Sequence, residues 1–229
     1  MPTLIAIETS TESCSAALLR DGTLIERSEL APRRHAELIL PMIESVLAEA
    51  GVLRRQLDAI AVGRGPGAFT GVRLGVSVAQ GLALGLDIPV VPVSSLAALA
   101  QDAPASVDET ILALIDARMG EIYAGSFRRR ADGLVEAISD ESVGLASELV
   151  VPRADCIVGS GWIAYADALA ARLPAAPRLV DGARYPQARA IARLAAPQFA
   201  AGNSVAPEQA LPVYLRDKVA LTLKEQRAR

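Results

Sequence analysis

Aromatic residues are scarce in this sequence of 229 residues. They make up 3% of the chain, although hydrophobic residues of all kinds make up 52%. Proteins that hold single-stranded nucleic acid by base stacking need exposed rings, so the composition argues against a stacking platform. It predicts instead a core of Ala, Leu, Val and Ile side chains.

Histidine and cysteine are almost absent too. His35 is the single histidine, so a zinc site with two histidine ligands cannot form within the chain, and a Ser-His-Asp triad would need His35 itself. Cys14 and Cys156 are too few for a disulfide framework and are expected to be buried, reduced thiols. We therefore predict neither a metal site nor a catalytic residue in this chain.

Excess positive charge and long apolar runs are also missing. The net charge is -3 and the isoelectric point about 5.3, whereas affinity for RNA comes largely from Lys and Arg. We do not expect the chain to hold a long nucleic acid alone. No uninterrupted apolar run reaches the roughly 20 residues of a membrane helix, and the start of the chain lacks the basic region of a signal peptide. The expected location is the cytoplasm, without a membrane anchor.

The residues that are present form two similar halves. Each half opens with three predicted strands, and the hairpin signal Asp21-Gly22 in the first half has a counterpart in Asp132-Gly133. The predicted strands lie at 4–7, 14–19 and from Thr23 in the first half, and at 111–115, 122–127 and from Leu134 in the second. A repeated β-β-β-α plan predicts a duplicated α/β fold with two lobes.

Apolar periodicity predicts helices at His35–Ala50, 71–86, 95–99 and 188–201. Pro41 predicts a kink or a helix start in the first of these, and Pro197 an interruption of the last. The predicted N-terminal lobe comprises residues 1–103 with about 188–216, the smaller lobe residues 104–187, an extended stretch residues 207–215, and a frayed tail residues 217–229.

A glycine-rich segment, Gly63–Arg73, precedes the second predicted helix. It lacks the Gly-Lys-Ser/Thr of a Walker loop, and Thr70 stands where the dinucleotide fingerprint needs a third glycine. Two interpretations stay open: an anion site at the helix N-terminus, or a structural turn that places Phe69 and Arg73.

Small residues then recur at four-residue steps along that helix, at Gly71, Gly75, Ala79 and Ala83. A glycine inside a helix costs about 1 kcal/mol relative to alanine, so a close approach of another backbone is expected there. The partner is either the protein's own sheet or another subunit gripped by the first two helices together. The predicted interface residues are His35, Leu38, Met42, Val46, Val72, Gly75, Val76 and Ala79.

Several of these motifs, taken in order, resemble the TsaB (YeaZ) family. The resemblance rests on Leu4–Ser10, His35–Glu37 with Leu40–Ile43, Gly63–Arg73, Asp116–Tyr123 and Pro212–Arg216. It implies an actin-like ATPase fold (ASKHA, RNase H-like) of two lobes with mixed sheets. It also implies homodimers, or pairing with a TsaD homologue through the first two helices, in an assembly that the ATPase TsaE joins.

The resemblance further implies an activity. The complex transfers threonylcarbamoyl from its adenylate to N6 of the adenosine beside the anticodon, in tRNAs that read codons beginning with A. TsaD carries the chemistry, metal and ATP are expected on the partner proteins, and a TsaB chain is a non-catalytic activator that meets tRNA through the complex. The candidate contacts for nucleotide or tRNA are Glu8, Thr9, Ser10, Arg64, Arg73, Asp116 and Arg118.

One alternative is a stand-alone actin-like kinase or ATPase. Glu8 and Asp116 each follow a first predicted strand, where such an enzyme places its metal-orienting or catalytic carboxylates. An actin-like phosphate loop generally has a glycine after the first acid, however, and Glu8–Thr11 has none. The sequence therefore favours a subunit without its own chemistry.

Overall fold

The computed structural model describes residues 2–216, so the predicted frayed tail at 217–229 lies outside the described residues. The first half of the chain contains strands β1 (Leu4–Glu8), β2 (Ser13–Arg20), β3 (Thr23–Leu30), β4 (Ala59–Gly63) and β5 (Val90–Val93), with helices α1 (His35–Ala50), α2 (Phe69–Leu86) and α3 (Ser95–Gln101). The strands form one sheet in the order β3-β2-β1-β4-β5, in which β1 is antiparallel to β2 and parallel to β4.

The second half builds a sheet with the same order. Its elements are β6 (Thr110–Arg118), β7 (Glu121–Arg129), β8 (Val135–Ala137), β9 (Ser142–Leu145), β10 (Cys156–Val158), α4 (Ser160–Ala170), β11 (Leu179–Asp181) and α5 (Ala188–Ala200). The order is β8-β7-β6-β10-β11, with β9 added along β7. The two matching sheets confirm the duplicated α/β plan and its mixed sheets.

The central strand β1 is covered on both faces. Its odd-numbered residues, Ile5 and Ile7, belong to the apolar cluster that α1 and α2 complete, while Leu4 and Ala6 belong to the cluster completed by α5. Alternate side chains of a strand point to opposite faces, so a strand buried on both sides needs an uninterrupted apolar run. That run is the sequence signal from which β1 was predicted.

Two helices pack on the sheet of the other half. Helix α3 places Leu96 and Leu99 against Ile111 and Phe127 of the second sheet, whereas α5 packs on the first sheet. The predicted division assigned residues 1–103 to the N-terminal lobe, and the last helix of that range contacts both lobes, because Ala98 belongs to the apolar cluster of the first sheet. A boundary drawn at a polar segment does not show which sheet a preceding helix covers.

Three local predictions need correction. Helix α1 begins at His35 and runs past Pro41, so the proline is not a helix start, and α5 continues through Pro197 to Ala200 without the predicted interruption. The stretch predicted as extended begins with a 3-10 turn, Pro207–Gln209. Helix α4 was missed: it is bent at Tyr165, where the backbone leaves helical angles, so its apolar residues keep no single period.

Among the described residues, α2 is the one helix long and apolar enough to span a membrane by length and composition. One side of it is buried in the core through Val72, Val76 and Ala79. The core helix of a soluble α/β domain has the same character.

Candidate functional site

Glu8, the last residue of β1, is completely buried. One carboxylate oxygen accepts a hydrogen bond from the Ser10 N–H at 2.6 Å, and the other accepts from the Ser95 hydroxyl at 2.8 Å. Burial raises the pKa of the Glu8 carboxyl, and the hydrogen bonds from Ser10 and Ser95 lower it in part. Because Ser95 is the first residue of α3, the carboxylate joins the first sheet to the helix that packs on the second.

Gly63 makes room for this carboxylate. A Cβ at position 63 would lie 2.0 Å from Glu8 Oε2, closer than any non-bonded contact allows. The side chain of Glu8 is therefore enclosed by its own fold and does not face a space in which a nucleotide could reach it. This geometry argues against a metal-orienting role for Glu8.

The glycine-rich segment packs directly on the turn after β1. A Cβ at Gly67 would lie 2.3 Å from the Ser10 carbonyl oxygen, and one at Gly71 would lie 2.2 Å from that of Thr9. The Ala68 N–H donates to the Ser10 carbonyl at 2.7 Å, and the Thr9 hydroxyl donates to the Gly71 carbonyl at 2.8 Å. The glycine-rich segment and the turn after β1 pack directly against each other and leave no space for an anion between them, which favours the structural turn over the anion site.

That turn places Phe69 and Arg73 in an exposed cluster. The guanidinium carbon of Arg73 lies 3.6 Å from the centroid of the Phe69 ring and 5.5 Å from that of Tyr214. Arg73 Nε also donates to the Tyr214 hydroxyl at 2.6 Å. A cation close to an aromatic ring is stabilised by the ring's quadrupole, so Arg73 already has partners within the chain.

Asp116 faces a cleft of about 310 Å³ between the two lobes. Its Oδ1 accepts from the Arg118 N–H at 2.8 Å and from the Tyr165 hydroxyl at 3.1 Å, and its Oδ2 pairs with the Arg118 guanidinium at 2.9 Å. Arg118 also reaches across the cleft to Glu12, at 2.6 Å. Ser10 lines the cleft as well, whereas Glu8 and Arg64 are not among its lining residues.

The structure does not bring the two predicted carboxylates together, and they are not equivalent. Gly63 lies beside Glu8, and the matching glycine at the end of β10, Gly159, lies beside the Leu114 carbonyl. Glu8 is the last residue of β1, whereas Asp116 lies inside β6, two residues before its end. The prediction that Asp116 follows the first strand of its half is therefore wrong, because β6 extends further than its apolar run.

The predicted interface needs a larger correction. Six of its residues lie in the interior of the first lobe, where α1 and α2 cover their own sheet; these are Met42, Val46, Val72, Gly75, Val76 and Ala79. A Cβ at Gly75 would lie 2.6 Å from the Thr9 hydroxyl oxygen. Their side chains are therefore unavailable to a partner, and the small-residue stripe packs on the protein's own sheet.

The other two predicted interface residues remain partly exposed. His35 Nε2–H donates to the Thr11 carbonyl at 2.8 Å, so this histidine fastens the start of α1 to the turn after β1. Leu38 is half-buried at the edge of the first core cluster. Both stay predictions as contact residues.

The sequence analysis did not identify the solvent-exposed face of α1 and α2, which lies opposite their buried face. Leu40 is 50% exposed and Leu84 is 73% exposed. On α2, a Cβ at Gly81 or at Gly85 would meet no atom of another part of the protein within 4 Å. The signal was present in the sequence: a second four-residue spacing, Ser77-Gly81-Gly85, is two positions out of phase with Gly75-Ala79-Ala83. Two positions correspond to about 200° around a helix, which is the opposite side.

Within residues 2–216, no three His, Cys, Asp or Glu side chains come together where they could share a metal ion. Cys14 and Cys156 are both buried free thiols, and burial raises the pKa of Cys14 to about 11. Neither thiol is readily ionised, so neither has the character of a nucleophile.

Comparison with known proteins agrees with this architecture. Residues 27–222 match the family model described as TsaD, tRNA N6-adenosine threonylcarbamoyltransferase. The chain is 43% identical over 227 residues to the tRNA threonylcarbamoyladenosine biosynthesis protein TsaB of Escherichia coli, covering 95% of this chain and 96% of that protein. A tRNA N6-adenosine threonylcarbamoyltransferase of Nitratidesulfovibrio vulgaris is 42% identical over 108 residues, which span 40% of this chain and 30% of that protein.

A solved structure, YeaZ from Pseudomonas aeruginosa, superposes with a TM-score of 0.85 at 44% identity, covering 94% of this chain and 100% of that one. The two sheets of matching order and this superposition are those of a duplicated actin-like fold. Fold, motifs and identity over nearly the whole length lead to one conclusion: the chain belongs to the TsaB family of tRNA threonylcarbamoyladenosine biosynthesis proteins.

Proposed function

We propose that this chain is a non-catalytic, cytoplasmic subunit that binds and activates a TsaD homologue in the transfer of threonylcarbamoyl to tRNA adenosine. Two features of the site support a role without chemistry. The first-strand carboxylate of Glu8 is enclosed, and the turn after it is filled by Gly67 and Gly71. Metal and ATP then belong to the partners, TsaD and TsaE, and tRNA is met through the complex.

The observation that carries the partner role is the exposed face of α2. Gly81 and Gly85 lie inside a helix of 18 residues, with no neighbouring atom that would forbid a side chain. Gly81 lies in the helix interior, where a glycine costs about 1 kcal/mol of helix stability relative to alanine, and Gly85 lies in the last turn of α2, where the cost is smaller. Nothing that residues 2–216 contribute offsets this cost, which supports a contact between this face of α2 and a partner.

Exposed leucines accompany these glycines. Leu84 lies on the same helix as the glycines, Leu40 is an exposed apolar residue of α1, and the glycines allow a partner's backbone to approach α2 closely. A helix–helix contact of this kind serves a TsaD homologue or a second copy of this chain, because both would bring α/β lobes with similar surface helices.

The experiment substitutes Gly81→Leu and Gly85→Leu together and asks whether a TsaD homologue from the same organism still co-purifies. Leucine is a better helix former than glycine, so we expect the unfolding midpoint of the isolated variant to stay the same or to rise. Co-purification, and threonylcarbamoyl transfer by the reconstituted complex, should fall at least tenfold. Size-exclusion chromatography of the chain alone reports whether a homodimer uses the same face.

Gly144→Leu is the matched control. Gly144 lies on β9 in the second lobe, and a Cβ there would also meet no atom within 4 Å, so its variant should bind the TsaD homologue normally. Undiminished binding by the double α2 variant would refute the proposed interface. Tight binding of magnesium ATP by the isolated wild-type chain in calorimetry would favour the stand-alone ATPase instead.

A further inference from the structure

Residues Ala210–Arg216 follow the 3-10 turn and have no regular secondary structure, yet they are bonded along their whole length. In the first lobe, the Gln80 side chain donates to the Ala210 carbonyl at 3.1 Å, and the Val213 N–H donates to the Arg64 carbonyl at 2.9 Å. The Tyr214 hydroxyl accepts from Arg73, as described above. An irregular segment with this many anchors has a defined path.

The last residue of the segment reaches the second lobe. Arg216 Nη2 donates to the Ala117 carbonyl at 2.9 Å and forms an ion pair with Glu121. Ala117 and Glu121 lie on either side of the turn between β6 and β7. The segment therefore starts on α2, passes along the cleft that Val213, Tyr214 and Arg216 line, and ends on the opposite wall.

The turn that Arg216 contacts has an unfavourable backbone conformation. Arg118 and Met119 have φ angles of 65° and 57°, in the left-handed region, which residues with a side chain adopt only at a cost. Such a conformation persists when surrounding contacts fix it. Arg216 supplies one of those contacts from outside the hairpin, and the Arg118–Glu12 ion pair supplies another across the cleft.

We propose that Ala210–Arg216 is an inter-lobe strap that holds the mouth of the cleft closed and fixes the β6–β7 turn. Away from the cleft, the lobes are already joined by apolar packing of α3 and α5. At the mouth, polar contacts take this role, and the strap ties the exposed N-terminal end of α2 to the second lobe. Release of the strap would open the cleft without unfolding either sheet.

Hydrogen exchange measured by mass spectrometry on the full chain tests the strap. We expect Arg216→Ala to speed exchange of residues 116–121 about tenfold or more, as expected for loss of a charge-assisted hydrogen bond, while strand β1 keeps its protection. Arg27→Ala is the matched control. Arg27 likewise bonds to several groups, Ser45, Glu49 and the Glu26 carbonyl, but all of them lie in the first lobe.

Tyr214→Phe is the sharper variant, because it removes a hydrogen bond to Arg73 in the first lobe and leaves Arg216 intact. If Ala210–Arg216 acts as a strap, loss of the Tyr214–Arg73 hydrogen bond in the first lobe weakens the hold of Arg216 on the second lobe. Hydrogen exchange of residues 116–121 should then rise at least threefold, although the hydrogen bond of Tyr214 itself is to α2. No change in this turn with Tyr214→Phe would show that Arg216 makes only a local contact and would overturn the strap. An equal rise in Arg27→Ala would overturn it as well.

Discussion

The two sheets of this molecule share one strand order but end their central strands differently. In the first, the position beside the glycine is Glu8, a buried carboxylate bonded to Ser10 and Ser95; in the second it is Leu114, and the nearest carboxylate, Asp116, faces the cleft. A buried carboxylate is tolerated only where donors surround it. The comparison shows that two sheets of the same strand order need not share either the backbone conformation or the side chains at the ends of their central strands.

The largest expected effect is a difference in stability between alanine variants of the two glycines at these strand ends, Gly159 and Gly63. We expect Gly159→Ala to destabilise the protein by about 4 kcal/mol, because it combines steric overlap with an unfavourable backbone conformation. Its φ is +107°, and its Cβ would lie 2.1 Å from the Leu114 carbonyl oxygen. Gly63→Ala should cost about 2 kcal/mol, since its Cβ meets the end of the Glu8 side chain and not the backbone, and its φ is not in the left-handed region.

Urea unfolding of both variants measures this difference. Gly81→Ala is the control, because alanine there meets no other atom and should stabilise α2 by about 1 kcal/mol. Equal losses for the two strand-end variants would mean that backbone conformation contributes nothing at Gly159, and the contrast between the sheets would fail.

A smaller effect should appear in the pH dependence of stability. Burial raises the pKa of Glu8 in the folded protein above its ordinary value near 4.5, so the folded state holds this proton more tightly than the unfolded chain. The stabilising contribution of the protonated group is then complete below the unfolded pKa and is lost as pH rises through the folded pKa. Glu8→Gln cannot ionise and should lack this loss.

The measurement is the free energy of unfolding of wild type and Glu8→Gln between about pH 4 and about pH 8. The difference between the two proteins should shift in favour of the variant as pH rises. Other buried acids, such as Glu26 and Glu141, have raised pKa values mainly through burial, but both proteins contain them and they cancel. A pH-independent difference would show that Glu8 is not penalised by burial.

The smallest effect is expected at the cleft. Asp116→Asn keeps an oxygen that accepts from the Arg118 N–H and Tyr165. It loses the ion pair between Asp116, whose side chain is 13% exposed, and Arg118, whose side chain is 70% exposed and can turn to solvent. Exposed ion pairs contribute at most about 1 kcal/mol, so the urea midpoint should change little. A loss of about 3 kcal/mol would make Asp116 as structurally important as a buried anchor, and the two sheet ends would be alike after all.

Prediction from the sequence succeeded where a segment's own pattern decides its structure. The apolar runs of β1 and β2, the hairpin at Asp21-Gly22 and the periodicity of α1 are local signals, and each element lies where it was predicted. It failed for α4, because the bend at Tyr165 breaks the period. It also failed for the interface stripe, because periodicity identifies a face of a helix without showing what that face contacts.

The sequence by itself determined the duplicated plan, the family and the scarcity of metal-binding side chains, since these follow from composition and from the order of motifs. Only the tertiary structure decided that Glu8 is sealed, that Gly75 and Ala79 pack inward while Gly81 and Gly85 remain free, and that Arg216 crosses to the second lobe. The reason is physical. Burial and long-range hydrogen bonds depend on which distant segments the fold brings together, and no local window of sequence contains both members of such a pair.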